Sequence, residues 1–321
     1  MPLPDGTRLD QPTLIFIGVT TRGSTINRLF PLWAETLALG EARLAGVDLP
    51  PDSPPEAYDR VVRAIAEEPM ARGALVTTHK IAVWRHAGRR FAELDRWARV
   101  LGEIGCIAKD AEGRLIGKAM DPVTAGKALD AIVERAHWTR HDRAEALIMG
   151  AGGAGVGLAA HLLERPPGER PAKIAITDVD VGRLSSALEH LEPLDTDRLM
   201  VYRPVSGAGD HDALMQELPR GSLVANATGL GKDRPGSPVT AAARFPSRGI
   251  AWEFNYRGAL TFLEQARGKA ASSNLIVADG WRYFLYGWST VIAAVFGLTL
   301  DPATVARLEA AAEPLRPAAT P

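Results

Sequence analysis

The chain has 321 residues, a formal net charge of −1 and a single cysteine. The balanced charge argues against nucleic acid or an anionic membrane surface as a partner, and one cysteine excludes a disulfide framework and a cysteine-rich metal site. We find no signal peptide and no apolar run that reaches the ~20 residues of a membrane span. We therefore expect a cytoplasmic two-domain protein with a small-molecule substrate and no resident metal, and a homodimer is one option for its assembly.

The first predicted element is an apolar strand at residues 13–18, which ends in a loop rich in hydroxyl groups. This loop carries Arg22 and Ser24 and leads into a helix with apolar spacing. A polar loop after a buried strand is a common place for a ligand site. The same pattern suits a helix N-cap at Ser24 or Thr25, so a ligand contact and a cap are both open here.

A later apolar strand begins at residue 71 and runs into Thr77 and Lys80. A lysine is usually a solvated surface residue, but α/β sheets place their ligands at the carboxyl ends of strands, which makes Lys80 a candidate functional residue. Farther along, a polar loop reaches Asp121 directly in front of Pro122. That pair is also the pattern of a helix N-cap followed by proline at the first helical position.

The strongest motif is a glycine turn. An apolar strand at residues 146–149 enters Gly150-x-Gly152-x-x-Gly155 and continues as an Ala/Leu-rich helix. In a dinucleotide-binding unit the first glycine allows a tight turn, the second lets the pyrophosphate approach the backbone, and the third lets helix and strand pack closely. The pyrophosphate then lies at the positive end of the helix, beside Gly153 and Ala154. A glycine turn without a cofactor is the alternative.

The next strand of this unit, at residues 172–177, ends in Asp178. A carboxylate at this point accepts hydrogen bonds from the adenosine ribose and repels a 2′-phosphate, which favours NAD over NADP. Arg183 lies about one helical turn later and keeps NADP use open, unless it pairs with Asp178 and Asp180.

In the order of its segments the chain resembles the shikimate/quinate dehydrogenase family over nearly its whole length. Five collinear stretches carry the resemblance: Gly18 with Ser24, Gly73–Lys80, Gly105–Asp121, Asn226-Ala-Thr-Gly-Leu-Gly231 and Asp279–Gly297. The resemblance implies two α/β domains with the active cleft between them. It implies a discontinuous substrate-binding domain of residues 1–121 plus 278–321 and a Rossmann NAD-binding domain of residues 122–277.

The resemblance also implies roles for individual residues. Lys80 and Asp121 correspond to the catalytic pair, in which the lysine exchanges the hydroxyl proton and the carboxylate orients the ammonium and the substrate. Substrate contacts are implied at Ser24, Thr77 and Gly287, with Arg22 and Tyr283 as polar replacements. Cofactor contacts are implied at the glycine turn and at Asn226, Thr228, Gly229 and Gly280.

The departures from the family concentrate on the substrate. Asparagines that bind ring hydroxyls in the family are matched by Ala108 and Ala119, and a glutamine of the closing helix is matched by Gly287. A site built to bond a hydroxyl discriminates strongly through such groups, so their loss argues against shikimate as the substrate. We expect NAD-dependent, reversible oxidation of a secondary alcohol on another cyclic, carboxylated polyol. The alternatives are a dehydrogenase of a secondary-metabolite cyclitol or aminocyclohexene, and a non-catalytic NAD or metabolite sensor.

Overall fold

A computed structural model of the chain describes residues 6, 8–232 and 234–317. Strands and helices alternate along most of its length. The strands are β1 (Thr13–Gly18), β2 (Arg43–Asp48), β3 (Ala71–Val76), β4 (Glu93–Leu94), β5 (Cys106–Lys109), β6 (Leu115–Lys118), β7 (Ala146–Met149), β8 (Ile174–Asp178), β9 (Met200–Pro204), β10 (Leu223–Asn226), β11 (Ile250–Glu253) and β12 (Ile276–Ala278). The helices are α1 (Ile26–Thr36), α2 (Pro55–Glu67), α3 (Lys80–Ala87), α4 (Arg96–Leu101), α5 (Asp121–Ile132), α6 (Ala136–Arg140), α7 (Gly153–Glu164), α8 (Val181–Leu191), α9 (Ala208–Glu217), α10 (Thr261–Ser273), α11 (Trp281–Phe296) and α12 (Pro302–Ala312).

The described residues form two compact units. Unit 1 contains the chain up to Met120 together with Gly287–Arg316, and unit 2 contains Asp121–Tyr286. Helix α11 therefore supplies residues to both units. It has 16 residues and is largely apolar. Even so, none of the helices in the described parts of the chain is long and apolar enough to cross a membrane.

Unit 1 is built, within the described residues, on a six-stranded sheet of order β2-β1-β3-β5-β6-β4. Strands β2 and β3 both pair in parallel with β1, whereas β5 runs antiparallel to β3 and to β6. Because β2 and β3 lie on opposite sides of β1, the chain reverses its direction of travel across the sheet between β1 and β3. Open α/β sheets bind their ligands at such a switch point.

Buried contacts join the two stretches of chain that make up unit 1. The indole Nε1 of Trp33 donates a hydrogen bond of 2.9 Å to the carbonyl oxygen of Leu308. The rings of Phe16 and Trp288 meet edge to face, with their centroids 4.8 Å apart. Trp288 is therefore a core residue of unit 1. The segment from residue 287 onward completes the core of unit 1.

Unit 2 is built on a second sheet, which in the described chain has six strands in the order β12-β11-β10-β7-β8-β9. All of its strand pairs are parallel. Strand β7 is buried throughout, as is typical of a parallel strand covered on both faces. The chain passes from β7 to β8 and β9 on one side and then crosses to β10 on the other, so the switch point lies between β7 and β10. Two α/β units, one with a doubly wound parallel sheet, confirm the predicted fold class.

Two boundaries that bear on the site differ from the prediction. Strand β3 ends at Val76, so Lys80 opens helix α3 and does not end the strand. Helix α5 begins at Asp121 and ends at Ile132, so Asp121 lies in the first turn and not in front of it. Sequence patterns locate helix ends only to within one or two residues, because capping and helical hydrogen bonds overlap there.

Candidate active site

The carboxyl ends of β1 and β3 bring together the two loops predicted to bind substrate. The N–H of Thr77 donates to the carbonyl oxygen of Ile17 at 3.0 Å, and its hydroxyl donates to the same oxygen at 3.2 Å. A Cβ on Gly18 would lie only 3.0 Å from Oγ1 of Thr77, so glycine permits this close approach. The loop of Ser24 and the loop of Lys80 therefore leave the sheet side by side at the switch point.

The first of these loops is fixed by side chains that bond its backbone. The N–H and the hydroxyl of Thr21 both donate to Oδ1 of Asp48, at 2.8 and 2.6 Å. The amide of Asn27 donates to the carbonyl oxygen of Thr21 at 2.8 Å. The N-cap of α1 is Thr25, and among the described residues its side chain makes no capping bond. Capping therefore does not account for the hydroxyl of Thr25, and Ser24 as a substrate contact stays a prediction.

Arg22 is exposed and lines a cavity of about 420 Å³ on the side of the edge strand β2. The other lining residues are Thr21, Asn27, Gly46 and Asp48. A carboxylate in the same cavity offsets the positive charge that Arg22 offers to an anionic group. Arg22 is therefore a weaker candidate than Ser24 for binding a substrate carboxylate.

Lys80 faces a buried carboxylate from the loop before β5. Its Nζ lies 4.0 Å from Oε1 of Glu103, and the two side chains are 20% and 5% exposed. The N–H of Ile104 donates to the carbonyl oxygen of Lys80 at 3.1 Å, which ties this loop to α3. A carboxylate this close stabilises the charged form of a lysine. Sequence reasoning missed Glu103, and the available signal was an acid flanked by Gly102 and Ile104 immediately before an apolar strand.

Gly105 borders the same lysine. A Cβ on Gly105 would lie 3.5 Å from Cε of Lys80 and 3.8 Å from the backbone nitrogen of Met120. Ala108, which the resemblance matched to one of the lost asparagines, lies three residues farther along β5, where it is buried and pairs with Ile116. Gly105 therefore borders the lysine, and the match of Ala108 to a family asparagine stays a prediction. Because residue 105 is glycine, no side chain from this position fills the space beside the end of the Lys80 side chain.

Asp121 opens α5 at the start of unit 2. It is buried, and a Cβ on Gly157 of α7 would lie 2.7 Å from the Cβ of Asp121. Glycine at position 157 therefore allows the first turn of α5 to lie against α7. The chain reaches Asp121 directly from Met120, whose backbone lies beside Gly105.

The glycine turn of unit 2 has the geometry that its sequence predicts. Gly150 has a φ of +106°, which residues with a side chain rarely adopt. Gly152 is the N-cap of α7, and none of the described residues comes within 4 Å of the place a Cβ would take. A Cβ on Gly155 would collide with the carbonyl oxygen of Gly150. The three glycines thus provide the turn, the open approach and the close packing, and α7 presents Gly153 and Ala154 in its first turn.

The loop after β10 lies against this turn. A Cβ on Gly150 would lie 2.7 Å from the carbonyl oxygen of Ala227 and 2.9 Å from the nitrogen of Thr228. The N–H of Ala227 donates to the carbonyl oxygen of Met149 at 2.8 Å. Gly229 has a φ of +75°, and its Cβ position is open with respect to all described residues. The two loops that flank the switch point of unit 2 are therefore in contact.

A buried carboxylate that the sequence analysis missed lies next to this loop. Glu253 is fully buried at the end of β11, and its Oε2 accepts from Nδ2 of Asn226 at 2.6 Å. Its Oε1 accepts from the backbone N–H and from Nδ2 of Asn255, at 2.8 and 2.6 Å. Burial raises the pKa of Glu253 to about 8, the three hydrogen bonds act to lower it, and the charge of Asp279 raises it.

Asp178 is buried at the end of β8 and touches the glycine turn. Its Oδ2 accepts from the N–H of Ala151 at 2.9 Å, and its Oδ1 accepts from the N–H of Asp180 at 3.0 Å. Arg183 lies 4.0 Å from the carboxylate of Asp178 and 3.8 Å from that of Asp180, so it pairs with both acids. The positive charge of Arg183 is thereby matched within unit 2.

Solved structures match the chain over almost its entire length, although no protein-family model and no curated protein matches it. Quinate dehydrogenase from Corynebacterium glutamicum, solved with NAD, is 19% identical with a TM-score of 0.71 over 94% of this chain and 98% of that one. Shikimate 5-dehydrogenase from Thermus thermophilus, solved with shikimate, is 25% identical with a TM-score of 0.68 over the same shares. The 5-ketofructose reductase of a Gluconobacter species is 21% identical with a TM-score of 0.64 over 93% and 97%.

The chain has the shikimate dehydrogenase fold. The resemblance predicted from the five sequence stretches is therefore confirmed, as is the Rossmann character of unit 2. Structures with the shikimate dehydrogenase fold include complexes with NAD and complexes with NADP. A nicotinamide dinucleotide thus suits the fold, and the choice between the two depends on individual residues.

Three predicted contacts fall on the segment that closes this shikimate dehydrogenase fold. The ring of Tyr283 packs against Phe254 in unit 2, with the centroids 4.8 Å apart, which gives it a packing role. Gly287 is the first residue of α11 that belongs to unit 1. Gly280 donates its N–H to the carbonyl oxygen of Asn255 at 3.0 Å, and a Cβ there would collide with the backbone of Phe254. Glycine at position 280 is therefore required by packing at the end of β11.

Proposed function

We propose that the protein is a dehydrogenase that uses NAD for the reversible oxidation of a secondary alcohol on a cyclic, carboxylated polyol other than shikimate. The observation that carries the proposal is Lys80 at the switch point of unit 1, with Glu103 as its counter-charge 4.0 Å away. A sensor that only binds has no need for a proton acceptor at this place. The lysine therefore favours an enzyme over a sensor.

The residues of unit 2 fit a nicotinamide dinucleotide. The open space over Gly152 and the N-terminus of α7 suit the pyrophosphate, because the exposed N–H groups and the helix dipole attract its charge. The loop from Asn226 to Gly229 contacts the glycine turn and suits the nicotinamide half, and Asp178 suits the adenosine ribose. When bound, the dinucleotide supplies the hydride acceptor for oxidation and the hydride donor for reduction.

The acids after β8 support NAD over NADP. Asp178 is buried, and the exposed Asp180 caps α8 by accepting from the N–H of Gly182 at 2.8 Å. Neither group suits a dianionic 2′-phosphate, and the nearby Arg183 is already paired with them. The Thermus enzyme, by contrast, has also been solved with NADP(H) and shikimate.

Lys80 has the position and the chemistry for proton exchange. Oxidation of the alcohol breaks a C–H bond, whose electron pair leaves with the hydrogen, and releases the hydroxyl proton. In the neutral state the amine of Lys80 accepts that proton, and the carboxylate of Glu103 stabilises the ammonium that forms. Asp121 is assigned the orienting role by its match to the family motif. Reduction of the ketone returns the proton from the ammonium.

The substrate site retains two hydroxyls and lacks three amides. Ser24 remains at the switch point as a donor for a carboxylate, beside Thr77, whose hydroxyl donates to the carbonyl oxygen of Ile17 and keeps its accepting capacity. Ala108, Ala119 and Gly287, which the resemblance matches to two asparagines and a glutamine of the family, offer no side-chain hydrogen bond to a polyhydroxylated ring. Without those amides the site cannot discriminate strongly for a substrate whose hydroxyls they would bind. This argues for a ring with a different hydroxyl pattern.

The test is NADH formation with a panel of cyclic polyols and hydroxy acids, shikimate and quinate included. It compares wild type with Lys80→Ala and with Lys173→Ala, an exposed lysine in unit 2 that serves as the matched control. We expect turnover of one panel member by wild type and control, and a loss of at least about 100-fold in Lys80→Ala. NAD should raise the melting temperature of all three proteins.

Unchanged turnover in Lys80→Ala would remove the lysine from the reaction. NAD binding without turnover across the whole panel would favour the sensor. Strong activity on shikimate would contradict the argument from the missing amides.

A further inference from the structure

Glu253 and two asparagines form one buried hydrogen-bond network beside the loop of residues 226–230. The carboxylate accepts from Asn226 and Asn255, and Asn226 in turn accepts from the loop, from the N–H of Thr228 at 3.1 Å and from its hydroxyl at 2.7 Å. The hydroxyl oxygen of Thr228 then accepts from the N–H of Leu230 at 3.1 Å. The side chain at position 253 is thus connected to the loop through a continuous series of hydrogen bonds, from Asn226 to Thr228 and from Thr228 to Leu230.

We propose that ionised Glu253 is a positioning residue for the cofactor, holding Asn226 and thereby the loop 226–230 in the conformation that binds the nicotinamide half. The inference rests on the proposed function, because it takes this loop as part of the dinucleotide site. Glu253 acts through Asn226 and has no assigned contact with cofactor or substrate.

All three groups that reach Glu253 are hydrogen-bond donors, and none of them can turn to present an acceptor to Glu253 instead. The N–H of Asn255 belongs to the backbone. The amide of Asn226 is oriented by the backbone N–H of Thr228, which requires an oxygen on that side. The amide of Asn255 is oriented by the carbonyl oxygen of Leu230, to which its Nδ2 donates at 3.1 Å. Position 253 therefore needs a group that only accepts, and among side chains that is an ionised carboxylate.

A proton on this carboxylate would set an O–H against an N–H. One of the three bonds would be lost, and a buried donor would lose its carboxylate partner. Turning Asn226 to meet that proton would move its nitrogen towards the N–H of Thr228 and break the bonds to the loop. Protonation of Glu253 therefore loosens the loop, whichever way the network responds.

The carboxylate of Glu253 gains and loses its proton in a pH range in which binding can be measured. The pKa of Glu253 is raised to about 8, first by burial and further by the charge of Asp279, which follows β12, while the three hydrogen bonds oppose the shift. Asn226 on β10 and Asn255 after β11 face the carboxylate with uncharged amides. Below pH 8 the protonated form prevails and above it the ionised form does, so cofactor affinity should rise as the pH rises through 8.

The test measures the Kd of NADH by its fluorescence between pH 6.5 and 9.5, without any substrate. For wild type we expect affinity to increase about tenfold across this range, with release of a proton upon binding below about pH 8, where free Glu253 is still protonated. In Glu253→Gln an amide N–H faces Asn226 at every pH, so affinity should be about tenfold weaker at pH 9.5 and nearly independent of pH. Glu264→Gln, an exposed glutamate on α10, is the matched control.

A paired variant separates positioning from general damage to the fold. In Glu253→Gln with Asn226→Asp, the glutamine nitrogen donates to the new carboxylate, whose other oxygen still accepts from Thr228. We expect this variant to recover NADH affinity at pH 9.5 to within about threefold of wild type.

Equal affinity and an equal pH profile in wild type and Glu253→Gln would overturn the positioning role while leaving the proposed function intact. So would failure of the paired variant to recover affinity while its melting temperature stays at the wild-type value. Absence of NADH binding at every pH would overturn the cofactor assignment and this inference together.

Discussion

Lys80 and Glu103 form an ion pair in unit 1, with Nζ and Oε1 4.0 Å apart and the glutamate almost fully buried. Because the carboxylate favours the ammonium form of the lysine, we predict that Glu103→Gln lets the lysine lose its proton more easily. The acid limb of the pH profile for alcohol oxidation should move to lower pH, by about one unit. The measurement is kcat/KM against pH with the substrate found in the panel.

Glu93→Gln provides the control for this prediction, since Glu93 is an exposed glutamate of the same unit. Its profile should match that of wild type. An unmoved acid limb in Glu103→Gln, with turnover retained, would show that the pair is structural only.

The cofactor preference should depend on Asp178. Removing this carboxylate in Asp178→Ala removes a ribose acceptor and the repulsion of a 2′-phosphate, so the ratio of NAD to NADP affinity should fall about tenfold. Thermal shifts with each dinucleotide give the ratio.

Asp180→Ala is the comparison, because this acid is exposed and caps α8. It should lower stability by about 1 kcal/mol and change the ratio less. A wild-type preference for NADP would contradict the assignment of both acids.

Substitution by alanine should affect stability at one glycine of the turn and NAD binding at another. Gly155→Ala places a methyl group against the carbonyl oxygen of Gly150, so we expect a loss of stability of about 2 kcal/mol or more. Gly152→Ala meets no described atom within 4 Å and has an extended backbone, so stability should change by less than about 0.5 kcal/mol. Its methyl group would instead occupy the approach to the backbone and weaken NAD binding at least tenfold.

Urea unfolding and NAD titration of the two variants separate these effects. Wild-type NAD affinity in Gly152→Ala would show that the pyrophosphate does not approach the turn.

A histidine of α7 should make unit 2 sensitive to acid. Nε2 of His161 accepts from Nε of Arg165 at 3.0 Å, which requires a neutral ring. Burial, followed by the charge of Arg165, lowers the pKa of His161 to about 4. Between pH 6.5 and 4 the unfolded chain therefore binds a proton that the folded chain does not, and stability falls as the pH falls through this window.

The expected loss is on the order of 3 kcal/mol between pH 7 and 4, measured by urea unfolding. His161→Gln should show a smaller dependence on pH, because glutamine can accept from Arg165 without titrating. His190→Gln, on α8, should keep the wild-type slope. Equal slopes in all three proteins would exclude His161 as the source.

The glycine turn could be predicted from sequence because its constraints are local. A positive φ at Gly150 and the contact of Gly155 with Gly150 involve residues at most five apart, and the flanking strand and helix have their own patterns. The loops of Ser24, Lys80 and Asn226 could be proposed in advance from the polar residues that follow predicted strands, whereas the switch points depend on the order of strands in each sheet.

The partners of these residues could not be assigned in this way. Glu103 is 23 positions from Lys80 and Glu253 is 27 from Asn226, and each acid is an isolated charge among apolar neighbours in the sequence. The pairing of β10 with β11 brings Glu253 to Asn226, and the contact of α3 with the loop before β5 brings Glu103 to Lys80. The register between β3 and β5 likewise places Gly105 opposite Val76, and the carbonyl oxygen of Gly105 accepts from the N–H of Val76 at 2.9 Å.

The amino-acid sequence by itself therefore determined the fold class and the glycine turn, because backbone conformation and burial patterns are properties of short segments. Only the tertiary structure decided which carboxylates lie beside Lys80 and Asn226, because a contact between distant residues depends on register. A shift of one residue along β10 or β11, for example, would turn Asn226 or Glu253 to the opposite face of the sheet.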